Sequence, residues 1–404
     1  MQPRRSPRDH YAPIHAIISV ILLLPVVHAT TSSVRAQAIS SYHIGNSLTW
    51  DCCPDFGLCN LATDAGLSLT TGYHIRCNGS LDHISNNPTD TCVTPNAFGY
   101  YTEALANNGW DAVTLQPFSS KNTPSTPRAE YQAMKNLIQL ARQNTDNLGT
   151  TFYVYTGWMS ATSAGTDFCS AWHDPTHIDP DTDLLRNAAS FNWVYQELKN
   201  DPELAGVNIL MIPVGDVLAE IDQRMTLGII PGFVGAEDLY RDDLHMNNLG
   251  WFVASNTVLS TLCKMDPTGT PTNSAFVLAP GQIESIEITP ELEALIQNAV
   301  WDVVSTHPST GALLGDLDGD GFVGIDDLNI VLGAWNQNVP PANPLADPSG
   351  DGFVGIDDLN EVLGNWNAGT PPGDPINTPE PGGMGLLCIG SLVLQRRCRS
   401  RPPK

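Results

Sequence analysis

Between residues 40 and 307, five β-patterned runs alternate with longer helix-patterned stretches: "SYHIG" (41–45), "LSLTTGYHI" (67–75), "DAVTLQ" (111–116), "TTFYVYTGW" (150–158) and "VNILMIPVG" (207–215). This alternation constrains the fold more than any other feature, because parallel strands need long crossovers and helices supply them. The stretches 127–144, 183–200 and 247–264 carry apolar residues near i, i+3, i+4 and i+7, the period of a helix with one buried face. A further helix is expected over 289–304, where Thr289 can cap, Pro290 suits the first turn, and Glu291 and Glu293 complement the positive end. The predicted class is α/β, a mainly parallel sheet with helices on both faces.

Charge narrows the function classes. The 404-residue chain has 43 Asp+Glu against 19 Lys+Arg, a formal net charge of −24. Such a surface repels phosphate backbones, so nucleic acid is excluded as a partner; it suits metal cations or plain solubility. At the N-terminus, Arg4, Arg5 and Arg8 precede the apolar run "AIISVILLLPVVHA" (16–29), with small residues for cleavage near Ala29 and Ala36. The run is shorter than the ~20 residues of a spanning helix, so residues 1–36 read as a removable export signal. Export permits disulfides, and Cys52, Cys53, Cys59, Cys77 and Cys92 crowd together near the first strand. Their spacing matches no standard zinc finger or ribbon, and their pairing stays open.

After residue 307 the texture changes. "GDLDGDGFVGIDDLNIVLGAWNQ" (315–337) recurs almost verbatim as "ADPSGDGFVGIDDLNEVLGNWNA" (346–368), 31 residues on. In the first copy Asp316, Asp318 and Asp320 take positions 1, 3 and 5 of a twelve-residue loop, with Gly321 at 6, Phe322 at 7 and Asp327 at 12. This spacing wraps a hard cation: odd-numbered side chains converge, Gly permits the sharp turn, position 7 gives a carbonyl, and position 12 closes the sphere. The second copy offers Asp347, Ser349, Asp351, Gly352, Phe353 and Asp358, and Gly324 and Gly355 at position 9 leave room for water. Each loop runs into a short helix, so 315–368 reads as a small α-helical module with structural calcium. Paired loops of this kind resemble type I dockerin repeats, which implies a docking partner, cohesin-like or other. "GIDD" stands here where cellulosomal dockerins often carry a Ser/Thr pair.

A Pro-rich linker (369–378) leads to Pro379, Glu380 and Pro381, a mostly apolar run, and then Arg396, Arg397, Arg399 and Arg401. The segment 379–404 resembles the PEP-CTERM sorting signal of exported bacterial proteins. That resemblance implies a sorting machinery as partner and a transient membrane hold, with the arginines on the cytoplasmic side. A plain C-terminal anchor is the alternative, and it too leaves the bulk of the chain facing outward.

The stretch "SYHIGNSLTWD" (41–51) runs from strand through Gly and a small polar residue into helix, so Ser47 suits either a cap or a nucleophile. Acyl transfer needs a Ser, a His to take its proton, a carboxylate to orient the His, and donors for the oxyanion. "YRDDLHMNNLGWFVASNTVL" (240–259) supplies Asp242 and His245, three apart on a turn, so that Asp242 can hold one ring nitrogen while the other faces the nucleophile. This ordered set resembles the SGNH, or GDSL-like, hydrolase superfamily over roughly residues 41–305. "IGNSLT" matches its first block, with Asn46 in place of the usual Asp and Ser47 as nucleophile; "DDLHMNNLG" matches the last, with His245 as base and Asp242 as its orienting acid. "CNGSLDHI" (77–84) is similar to the second block, which implies that the Gly79 N–H points into the oxyanion hole with that of Ser47. Where the third block usually reads GxND, "WDAVTLQPFSS" offers Gln116, whose amide can donate the same bond from one methylene further away.

The resemblance implies a flavodoxin-like three-layer α/β/α sandwich and catalysis without a cofactor. With the dockerin-like module it implies an exported serine esterase acting on acylated carbohydrate, O-acetyl groups foremost. A non-catalytic surface binding protein on the same fold is the alternative, and phospholipid or thioester hydrolysis a further one. Other residues have plainer readings. His83 and Asp82 fit a surface loop, and His173 and His177, with Asp174 and Asp179, fit a loop over the rim of the site better than a metal centre. Trp50, Trp110, Trp158 and Trp172 fit core packing better than a sugar platform.

Overall fold

Ala38–Gly45 (β1), Ser68–Ile75 (β2), Ala112–Leu115 (β3), Thr151–Tyr155 (β4) and Ile209–Ile212 (β5) form one sheet in the order β2-β1-β3-β4-β5, every neighbouring pair parallel. This computed structural model describes residues 38–371, apart from 53, 56, 175, 177, 271–275, 277–284, 320, 340, 341, 350, 351 and 370. The expected export segment, the C-terminal tail, Cys53, His177, Asp320 and Asp351 lie outside the described residues. All four residues of β3 are buried, as befits a central parallel strand covered on both faces. The strand order reverses between β1 and β3, and in such sheets the crevice for a ligand opens at the C-terminal ends of those two strands.

The connections are helical: Ser47–Trp50 (α1), Gly57–Asp64 (α2), Leu81–Asn86 (α3), Tyr101–Asn107 (α4), Pro127–Ala141 (α5), Ala161–Ala164 (α6), Phe168–Trp172 (α7), Ala188–Asn200 (α8), Val214–Thr226 (α9), Asn248–Cys263 (α10) and Pro290–Val304 (α11). Of these, α3, α4 and α8 pack on α5, while α9, α10 and α11 pack on one another with α2 and α7 against them. Two helical layers around one sheet give the flavodoxin-like three-layer sandwich. Thr289 caps α11 through Leu292 N–H, as its sequence position predicts.

Two expectations change. The run 207–215 is strand only to Ile212, because Pro213 caps α9, a helix that the uninterrupted apolar stretch conceals in the sequence. The helix predicted over 247–264 has no solvent face: every residue of α10 from Asn248 to Leu262 is buried. Its buried hydroxyls find carbonyls, Thr257 and Thr261 donating to those four residues back and Ser255 to that of Cys52, while Trp251 Nε1 and Asn256 Oδ1 have no partner among the described residues. Buried hydroxyls that bond back to their own helix read as a polar face in sequence yet tolerate the core.

All described residues belong to one compact unit that contains two hydrophobic cores. The large core fills the sandwich, and a small one of Val323, Val331, Ala334, Ala342, Ala346, Val354 and Val362 fills the repeat region. There Ile325–Gly333 (α12) and Ile356–Gly364 (α13) follow the two loops. Each loop pairs with the segment that follows the other repeat's helix: Val323 N–H donates to the Ala368 carbonyl, and Val354 N–H to that of Gln337, both at 2.9 Å. Neither repeat can therefore complete its backbone pairing alone. The module meets the sandwich where Lys264, just past α10, donates through Nζ to the Gly319 carbonyl at 3.2 Å.

Candidate active site

Ser47 follows β1 by two residues and opens α1. Asn46 caps that helix by accepting from Leu48 N–H at 2.9 Å, and its amide donates to the Gly79 carbonyl at 3.1 Å. Gly45 allows the turn because a Cβ there would lie 2.2 Å from Thr49 Oγ1 and 2.8 Å from Gln116. The hydroxyl is partly exposed and held on an otherwise buried turn.

The distant partner reaches it. His245 Nε2 lies 2.9 Å from Ser47 Oγ, across 198 residues of sequence, and His245 Nδ1 lies 2.9 Å from Asp242 Oδ2. Burial works against the charge of Asp242, but the N–H groups of His245 and Leu244 and the imidazole hold its carboxyl below the usual range. An ionised carboxylate only accepts, so Nδ1 carries the ring proton and Nε2 presents its lone pair to Ser47. Sequence reading did not single out the bracing of this loop. Arg241 donates to Asp51 Oδ1 at 3.2 Å and to the Met246 carbonyl, and Met246 N–H donates to Asp51 Oδ2 at 2.8 Å. Asp51 ends α1, so this buried pair fastens the turn of Ser47 to that of His245. Burial pushes the Asp51 carboxyl up, against the pull of Arg241. On the other side Trp158 Nε1 donates to the Leu244 carbonyl at 2.7 Å, and Thr162 N–H donates to Asp243 at 2.9 Å.

Gln116 directly follows β3 and is 1% exposed. Its Oε1 accepts from the N–H groups of Asn46 (3.1 Å) and Thr49 (3.2 Å) and from Thr49 Oγ1 (2.8 Å). Two backbone donors leave no doubt which end of the amide is oxygen. Its Nε2 is buried with no hydrogen-bond partner among the described residues. An orphaned buried donor costs about 1–3 kcal/mol, so its retention beside a serine calls for a function.

Gly79 departs from the sequence expectation. Its N–H donates to the Arg76 carbonyl at 2.8 Å, closing the turn through Asn78, which adopts φ 59°, and is therefore not free for an oxyanion. Its carbonyl holds Asn46 instead. The Cys77–Cys92 disulfide clamps this loop, while Cys52, Cys59 and Cys263 are free thiols. His83 bonds Asp90 at 2.8 Å in a cluster with Arg76, and His173 pairs with Asp216 at 3.3 Å. Trp110, Trp158 and Trp172 are buried, and half-buried Trp50 packs edge-on against Tyr73.

In the first repeat loop, Asp316, Asp318 and Asp327 bring carboxylate oxygens within 4.8 Å of one another. Asp316 Oδ2 accepts from Gly321 N–H at 3.0 Å, but Oδ1 is buried without a partner among the described residues. Burial, with Asp327 and Asp318 nearby, pushes Asp316 up to about 6. Asp327 folds the loop by accepting from Leu317, Asp318 and Gly324 N–H groups. In the second loop Gly352 N–H donates to Asp347, and Ser349 and Gly355 N–H groups to Asp358. Crowded, partly desolvated carboxylates with a spare oxygen fit a hard cation.

No family profile matches the chain. No curated protein matches it. Among solved structures, it is similar to a DUF4886 family protein from Bacteroides uniformis, at 17% identity and a TM-score of 0.45, over 66% of this chain and 95% of that one. It is also similar to a candidate acylhydrolase from Bacteroides fragilis, at 10% identity and a TM-score of 0.31, over 55% of this chain and 86% of that one. Likeness this distant carries no chemistry, which rests on the residues above.

Proposed function

We propose that this protein is an exported serine esterase of the SGNH type that removes O-acetyl or similar acyl groups from extracellular carbohydrate. The observation that carries the reading is the relay from Asp242 through His245 to Ser47, 2.9 Å at each step. Ser47 Oγ attacks the ester carbonyl carbon while His245 Nε2 takes its proton, and the carbonyl electron pair moves onto oxygen. That oxyanion receives the Gln116 Nε2–H and the Ser47 N–H, the first of α1 and so without an intrahelical acceptor. His245 returns the proton to the departing alcohol oxygen, and a water activated by the same ring releases the acid.

The carbohydrate substrate rests on the SGNH resemblance taken with the dockerin-like repeats. Asp316, Asp318 and Asp327, with Asp320 and the Phe322 carbonyl by spacing, would hold one calcium ion; Asp347, Ser349, Asp351, Phe353 and Asp358 would hold a second. Calcium would neutralise these carboxylates and fix the module for a cohesin-like or other docking partner. The Cys77–Cys92 disulfide agrees with export to an oxidising compartment. The test is hydrolysis of p-nitrophenyl acetate and acetylated xylan by the full chain and by Ser47→Ala, with turnover expected only from the former. Turnover that persists in Ser47→Ala overturns the assignment, and none in either favours a surface binding protein.

A further inference from the structure

Glu130 lies in the first turn of α5, is 0% exposed, and takes no part in the steps above. Its carboxylate accepts four hydrogen bonds from three stretches of chain. Oε2 accepts from Leu81 and Phe118 N–H groups, both at 2.9 Å; Oε1 accepts from Asp82 N–H at 3.1 Å and Ser125 Oγ at 2.6 Å. Leu81 and Asp82 open α3, where N–H groups have no intrahelical acceptor, and Ser80 Oγ serves the next one, His83. Glu130 thus completes the cap of a helix to which it does not belong. Burial pushes it up to about 7, against the pull of these donors.

The bonds close into a ring. From Glu130 the path runs to Leu81, back along the chain to Gly79, across to Asn46, and from Asn46 N–H to Gln116 Oε1. Two residues past Gln116, Phe118 N–H returns it to Glu130. Every backbone N–H on this circuit has an acceptor, and the side-chain donor left over is Gln116 Nε2. Only a carboxylate offers acceptor capacity for four donors on two oxygens without adding a donor of its own.

Resting on the esterase reading, we propose that Glu130 is a positioning residue: it ties the Gln116 loop and the Gly79 loop into one frame that holds the Gln116 amide where the oxyanion forms. Glu130→Gln places an NH2 against donors and opens the frame, whereas Gln116→Glu removes the oxyanion donor itself. In purified full-length protein on p-nitrophenyl acetate, Glu130→Gln is expected to lower kcat at least about tenfold with KM within about twofold. In the Gln116→Glu background the same change is expected to cost less than about twofold, because its target is already gone. A kcat for Glu130→Gln within about twofold of wild type, or an equal loss in both backgrounds, overturns the positioning role. Should Glu130→Gln fail to fold by circular dichroism, Ser125→Ala removes one of the four bonds and keeps the charge; about a threefold loss is expected, and a wild-type rate overturns the proposal. A wild type without Ser47-dependent turnover overturns the esterase reading and this role with it; an active wild type and an unaffected Glu130→Gln overturn this role alone.

Discussion

Among the described residues, the Ser47 site and the first repeat loop both hold a buried polar atom without a partner, and the two are opposite in kind. At the sheet end it is a donor, Gln116 Nε2; in the first repeat loop it is an acceptor, Asp316 Oδ1. Both carry a desolvation cost in the protein alone. The donor suits a negative charge that exists only while an acyl group is in transit, so its return is a rate. The acceptor suits a permanent cation, so its return is stability. Charge crowding separates them further: the Gln116 amide is neutral and its oxygen fully engaged, whereas Asp316 sits among other carboxylates.

This contrast can be broken in order of expected effect. Gln116→Glu keeps oxygen at the acceptor end but removes the donor, and should lower kcat by about 10²–10³ while the melting transition stays cooperative. An unchanged kcat would show that the orphaned donor serves no oxyanion. Calcium should act the other way: at 100 times its dissociation constant each bound ion should stabilise the repeats by about 2.7 kcal/mol and leave kcat within about twofold. Chelation should abolish that gain in a thermal melt, and Asp316→Asn should remove the first loop's share of it; a calcium-independent melt would sink the cation reading. The effect that is smallest per step, spread over several pH units, concerns His43, buried in the sheet between Ser41 Oγ and Thr114 Oγ1, with its pKa lowered by burial to about 3. The unfolded chain takes up this proton near pH 6.5 and the folded one does not, so His43 costs stability as pH falls from there toward 3. Wild type should therefore lose about 1.4 kcal/mol per pH unit more than His43→Gln in denaturant titrations over that window. Equal slopes would mean that His43 titrates in the folded state.

The five strands and the three residues that the fold brings together, Ser47, Asp242 and His245, were legible in the sequence, because each stands in a local pattern: an apolar run, a Gly-Asn-Ser turn, an Asp-x-x-His turn. What holds them together was not. Asp51 and Arg241 stand 190 residues apart, and only the fold makes them a pair. A weak signal existed, an acid four residues after Ser47 and a base one residue before Asp242. Gly79 was misread for a related reason. A glycine in a turn offers both an N–H and a carbonyl, and which one faces the site depends on Asn78 and the disulfide rather than on the motif. The burial of α10 was hidden because back-bonded Ser and Thr look polar in a sequence.

That helix also sets a length. Asn248 lies three residues after His245, α10 has 16 residues, and Lys264 beyond it grips the first repeat loop. At 1.5 Å per residue the rod is about 24 Å long, and it is anchored on all sides. A partner seated on the repeats would thus find the Ser47 end at a set reach rather than on a tether. On the proposed esterase and docking readings, the protein would act as a ruler, selecting which acyl groups on a neighbouring polymer can be cut by how far they stand from the point of attachment.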